Sequence, residues 1–129
     1  MYRHKSKKDI RSPLESGLNV LSGKWKSRIL CFLAINGSVR FSEIQKEMVS
    51  ISDSVLSSEL KKLIRDELVK RVQFDEIPPH VEYSLTEKGE SVIPVLQSIC
   101  RWSSTYYEYD KDSLILQCQR CSSVQKDKC

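Results

Sequence analysis

Apolar residues recur along this chain with two periods, and the switch between them outlines a fold. Leu14, Leu18 and Leu21 follow Ser12-Pro13 at helical spacing, and proline suits the first position of a helix. Ser22-Gly23 breaks that segment. A second helix is expected from about Lys24 to Ile35, with Trp25, Ile29, Phe32 and Leu33 as its apolar stripe, ended by Asn36-Gly37. After a short extended piece, Val39 to Phe41, Ser42 and Gln45 have the spacing of a capping box, so a third helix is expected to open at Ser42 with Ile44 and Met48 inward. Val49-Ser50-Ile51 reads as a tight turn. Ser52 caps the next helix, which runs to Asp66 on a core stripe of Leu56, Leu60, Leu63 and Ile64.

The period then changes to two. Leu68 to Phe74 and His80 to Leu85 read as strands, and Val81, Tyr83 and Leu85 alternate with polar residues as in a half-buried strand. Asp75 to Pro79 cannot be central strand, because two prolines donate no ladder hydrogen bonds. The unit is therefore a hairpin with a stiff tip. Thr86 caps a long helix reaching roughly Tyr109, which Pro94 is expected to kink or divide. A helix, a short turn, a second helix and an immediate hairpin make a winged helix-turn-helix. The fold class is α+β, predominantly helical, with long N- and C-terminal helices. Residues 1–11 form a basic arm, 12–110 the winged domain and 111–129 a polar, cysteine-containing tail.

Charge adds a partner to this outline. Five of the 21 basic and one of the 17 acidic side chains lie in residues 1–11, so the arm carries the chain's whole formal charge of +4. A basic arm on a neutral body suits a polyanion such as double-stranded DNA. With 40% apolar and 29% charged residues, the composition is that of a globular protein, and no run is long enough for a membrane span. The arm lacks the apolar stretch of a signal peptide, which gives a cytoplasmic expectation.

Matching segments sharpen the outline. They are Ser22-Gly23-Lys24-Trp25-Lys26, Arg40-Phe41-Ser42-Glu43-Ile44, Ser52 through Leu63, Pro78 through Thr86, and Ile93-Pro94-Val95-Leu96 through Cys100-Arg101-Trp102. In these, over residues 12–103, the chain resembles the HxlR-type winged helix-turn-helix regulators of bacteria. The resemblance implies a homodimeric transcription factor, most often a repressor, joined through its terminal helices with the wings flanking DNA. Many relatives sense oxidants with a cysteine just before the first proline, where this chain has Ser12. The usual wing arginine after Pro-Pro is here His80.

On a helical wheel, the face of the Ser52–Asp66 helix opposite its core stripe carries Ser54, Val55, Ser58, Lys61, Lys62 and Arg65. Ser54 and Ser58 suit base edges, Val55 a thymine methyl, and the three cations phosphates. Lys24, Lys26 and Arg40 are further phosphate candidates, as are the helix starts at Ser42 and Ser52. His80 is the wing residue placed for the minor groove, so His80→Arg is expected to strengthen binding; Asp53→Ala is expected to change it little. Leu14, Leu18, Ile93, Leu96, Ile99, Trp102 and Tyr106 are assigned to the dimer, and a twofold dimer calls for a palindromic operator.

Five cysteines without a signal peptide are read as thiols. Cys31 reads as a buried small hydrophobe, and Cys100 in the dimer helix is a redox candidate. Cys118-Gln119-Arg120-Cys121 is a Cys-x-x-Cys whose readings as redox pair, zinc ligand or incidental tail stay open; zinc lacks a second ligand pair, only Cys129 following. No metal or cofactor is assigned and the effector is unknown. With only His4 and His80, and no Gly-rich phosphate loop, the chain does not read as an enzyme. The alternative to operator binding is a winged helix that binds a protein partner.

Overall fold

The leucines and isoleucines picked out by period meet in one core. The computed structural model describes residues 12–108. They run as α1 (Pro13–Val20), α2 (Lys26–Asn36), α3 (Phe41–Met48), α4 (Asp53–Arg65), β1 (Val69–Phe74), β2 (His80–Leu85) and α5 (Glu87–Tyr106). Ile29, Leu30 and Leu33 of α2, Ile44 of α3, and Leu56, Leu60 and Leu63 of α4 are almost completely buried together with Val69 of β1. Ile51, in the turn between α3 and α4, is buried with them, which fixes the second helix of the pair against the first. The arm and the tail, with Cys118, Cys121 and Cys129, lie outside the described residues.

Three of the helix starts follow the sequence directly. The Ser12 hydroxyl accepts from the Glu15 amide at 3.2 Å, Ser52 from Val55 at 3.2 Å and Thr86 from Gly89 at 3.0 Å, each satisfying a first-turn donor. The start of α3 differs. Arg40 is its cap residue, the Arg40 amide donates to the Glu43 carboxylate at 2.9 Å, and Ser42 lies inside the first turn. Phe41 packs against the core and so belongs to the helix, leaving the capping box to Glu43. Gln45 is thereby free to donate its side-chain amide to Asp53 at the start of α4. Between the two helices Val49 has φ +65° and ψ −65°, with the Ser50 amide donating to the Met48 carbonyl at 2.8 Å, a three-residue γ-turn.

α4 ends in a left-handed cap. The Leu68 amide donates to Leu63 and the Glu67 amide to Ile64, both at 2.9 Å, and Glu67 has φ +64°. This Schellman pattern favours glycine at the Glu67 position, and a carboxylate there also faces the negative end of the helix dipole. Glu67→Gly is therefore expected to raise stability by about 1 kcal/mol, read as a higher midpoint in thermal unfolding; a lower midpoint would contradict the cap.

The wing is an antiparallel pair in the register Val69↔Leu85 through Phe74↔His80. Val39 adds a one-residue bridge, exchanging backbone hydrogen bonds with Tyr83 at 2.9 and 2.7 Å, so the α2–α3 link is stitched to β2. α5 is continuous past Pro94 and stops at Tyr106 rather than near Tyr109. Pro94 and Glu90 are both exposed, so water can satisfy the carbonyl that loses its partner and the helix need not divide. α1, expected to be long, is only eight residues. Among the described residues, no helix is long and apolar enough to cross a membrane.

Candidate nucleic-acid interface

The two helices of the motif are held in place by side chains that also shape the candidate surface. Gln45 bridges to Asp53, so Asp53 has a structural partner that the sequence expectation of indifference did not include. Ile51 and the γ-turn set the direction of α4, and its inward stripe leaves the opposite face to solvent. Ser54, Val55, Ser58, Lys61, Lys62 and Arg65 are all exposed there. With half-buried Ser57, which the wheel did not single out, five of them line a shallow depression: Ser54, Ser58, Lys61, Lys62 and Arg65. Hydroxyls near the helix start and cations toward its end form a surface graded from neutral to positive.

The cations are not equally committed. Lys62 donates to Glu59 at 3.2 Å, and Arg65 lies 3.6 Å from Asp66, whereas Lys61 has no ion-pair partner among the described residues. Exposed ion pairs of this kind contribute at most about 1 kcal/mol, so a phosphate can recruit both partnered cations. Ser52 is exposed, but its hydroxyl is engaged as the cap of α4. Ser42 and Arg40 are exposed at the start of α3, Arg40 near Glu82. Lys24 is exposed and sits 4.7 Å from the centre of the Trp25 ring, with Arg28 at 5.1 Å. Lys26 is different: at 8% exposure it is buried, which removes it from the phosphate candidates. As first residue of α2 it points inward with Ile29 and Leu30, a placement the flanking Lys-Trp-Lys pattern did not reveal.

The wing departs furthest from expectation. The His80 side chain is only 15% exposed, stacked on Phe74 and held between Glu76 and Glu82, so it does not project as a groove-reading residue. The expectation that His80→Arg would strengthen binding through a minor-groove contact therefore loses its geometric basis. Exposed Lys70 and Arg71 of β1 are the wing's cations instead. Their adjacency is legible in the sequence, where the segment reads only as a strand-like run. The Ser38 hydroxyl, donating to Glu82 at 2.6 Å, holds the Glu82 carboxyl below its ordinary pKa; partial desolvation opposes this, and His80 and Arg40 add to it.

The dimer candidates split into two groups. Ile93 and Leu96 pack against the domain's own core, because one face of α5 lies across α2. Leu14 (70%) and Trp102 (58%) are exposed, as are Leu18, Ile99 and Tyr106, joined by Val95 and Tyr107. Trp102 forms a small aromatic group with Tyr106 and Tyr107 at centroid distances of 6.1 and 5.9 Å. Cys100 is half-buried on the same helix, and Cys31 is half-buried on α2 rather than sealed in the core. No group of three or more His, Cys, Asp or Glu side chains suited to a metal ion occurs among the described residues.

Comparisons with known proteins agree with this architecture. Residues 20–111 match the family described as HxlR-like helix-turn-helix. An HTH-type transcriptional regulator of Methanothermobacter thermautotrophicus is 42% identical over 100 residues, covering 78% of this chain and 76% of the relative. The reduced form of the Bacillus subtilis transcriptional regulator YodB superimposes with a TM-score of 0.70 at 34% identity, covering 77% of this chain and 97% of that one. The redox regulator HypR in its oxidised form gives 0.68 at 34% identity, covering 76% and 100%. The winged helix-turn-helix, its graded α4 face and these likenesses together place the chain in the HxlR-like helix-turn-helix family of transcriptional regulators.

Proposed function

We propose that the chain is a cytoplasmic, homodimeric repressor that binds a palindromic operator in duplex DNA. The observation that carries this reading is the exposed face of α4, where Ser54 and Ser58 precede Lys61, Lys62 and Arg65 along one depression and Val55 is exposed on the same helix. The N-terminal half of such a helix enters the major groove, and its later cations meet phosphates. The apolar surface of α1 and α5, Leu14 and Leu18 with Val95, Ile99, Trp102 and Tyr106, supports a twofold partner, which sets two copies of α4 on one side of the duplex.

The signal belongs to the same proposal. YodB and HypR are described in reduced and oxidised forms, which concerns those proteins. Here Ser12 caps α1 where the family's sensing cysteine stands, so a thiol signal would act through Cys100 of α5 or through Cys118 and Cys121. Selection from random duplexes tests the whole reading. It is expected to enrich a palindrome with half-site centres about 10 bp apart, bound with steep loss of affinity as salt rises. An enriched site lacking symmetry would exclude the dimer arrangement, and a salt-insensitive complex would point to a protein partner instead.

A further inference from the structure

The wing holds a cluster for which contact with DNA gives no reason. The His80 ring lies nearly flat on Phe74, its partner in the register, with centroids 4.7 Å apart and planes 15° from parallel. Its Nε2 is 3.0 Å from Glu82 Oε2, and its Nδ1 is 3.4 Å from Glu76 Oε2. The other oxygen of Glu82 accepts the Ser38 hydroxyl at 2.6 Å. Ser38 precedes Val39, which is bridged to Tyr83, and lies two residues before Arg40, the cap residue of α3. One imidazole thus joins the wing turn to β2, and through Glu82 to the entrance of the helix-turn-helix.

A neutral imidazole carries a single N–H. With a carboxylate near each nitrogen, the neutral ring would set its remaining lone pair against an anion, whereas the imidazolium donates to Glu82 and attracts Glu76 as an ion-pair partner. We propose that His80 is a positioning residue that clasps the wing in its protonated form, so that the wing's placement beside α4 responds to pH. The clasp stands on the geometry alone; its consequence for operator affinity rests on the DNA-binding reading. The groups around the ring are Phe74 of β1, Glu76 of the wing turn and Glu82 of β2, with Ser38 and Arg40 acting on Glu82 from the α2–α3 link. The Ser38 hydrogen bond, by lowering the Glu82 pKa, keeps that carboxylate ionised on the acid side. The closed form needs the ring proton, so the clasp is closed at lower pH and opens when rising pH removes that proton.

The test uses the full chain, with His80→Gln and His80→Arg, at constant ionic strength between about pH 5.5 and 8.5. Amide-exchange protection of β1 and β2, normalised for intrinsic exchange, and operator affinity on the selected duplex are measured in parallel. In the unmodified chain both are expected to fall about tenfold across this interval, the lower end of the scale of one hydrogen bond to a charged group. Glutamine keeps one hydrogen bond without the titration and arginine keeps the charge throughout, so both variants are expected to be flat with pH. The clasp makes no phosphate contact, so the dependence of log affinity on log salt is expected to be the same in all three proteins. Wing protection that does not change with pH in the unmodified chain would overturn the clasp. A salt slope reduced by about two units in His80→Gln, one phosphate in each half of the dimer, would overturn it too, assigning His80 to a phosphate. Absence of duplex binding at every pH would remove the DNA-binding reading, while the exchange data would still decide the clasp.

Discussion

Gly89→Ala is expected to leave little native protein, with a thermal midpoint lowered by about 15 °C or more. Gly89 is buried in the first turn of α5, and a Cβ there would lie 2.0 Å from the Leu68 carbonyl oxygen, 3.0 Å from its carbon and 3.2 Å from Leu85 Cδ2. The obstacle is backbone, not a flexible chain end. The Leu68 carbonyl also accepts the Thr86 amide at 3.1 Å, and Leu68 closes the Schellman cap of α4. Relief would require α5 to lift away from that corner. Lifting breaks the Thr86 hydroxyl bond to Glu67 O at 2.5 Å and the Lys88 ammonium bond to Asp66 O at 2.8 Å. Overpacking costs about 1–3 kcal/mol where side chains can adjust, and a contact this short with a carbonyl belongs at or above the top of that range. Alanine's better helix propensity returns only about 1 kcal/mol. Circular dichroism on heating decides the matter: a midpoint equal to or above that of the unmodified chain would show that α5 does not seat on Leu68 as closely as described.

This corner illustrates what one sequence does and does not reveal. Periodicity marked the α4 stripe, and short polar residues before it marked the caps at Ser12, Ser52 and Thr86, because both signals arise within a few residues. The boundaries of β2 were legible for the same reason, through alternation set between Pro79 and the cap residue Thr86. Contacts between distant segments left no such trace. Nothing near Gly89 announces that Leu68 will lie against it, and the Ser38–Glu82 hydrogen bond spans 44 positions. His80 thus looked like a free wing tip, although tertiary structure encloses it between carboxylates. Helical spacing also could not distinguish the face of α5 that Ile93 and Leu96 turn to their own core from the one bearing Val95, Ile99 and Trp102. Both are apolar, and only the position of α2 separates them.

The α4 face, by contrast, was legible almost residue by residue, and it yields the second large effect. Lys61→Ala combined with Arg65→Ala is expected to weaken operator binding by about 100-fold at physiological salt. The accompanying salt slope should fall by up to about 3.6 units, because each half of a dimer would neutralise two fewer phosphates. Both side chains are exposed, and neither supports the core, so unfolding should shift by no more than about 0.5 kcal/mol. Lys61 is expected to account for more of the loss than Arg65, because Arg65 must share its charge with Asp66 at 3.6 Å. Ser58→Ala provides the contrast. A hydroxyl aimed at a base edge carries no counterion, so its removal should alter which duplexes are preferred and leave the salt slope unchanged. If the charge variants kept the full slope, α4 would not lie along the phosphates and its graded face would need another partner. If Ser58→Ala reduced the slope while preference stayed fixed, the helix would sit in the groove the other way round. The proposed orientation requires discrimination and grip to separate along α4, with the serines affecting the first and the cations the second.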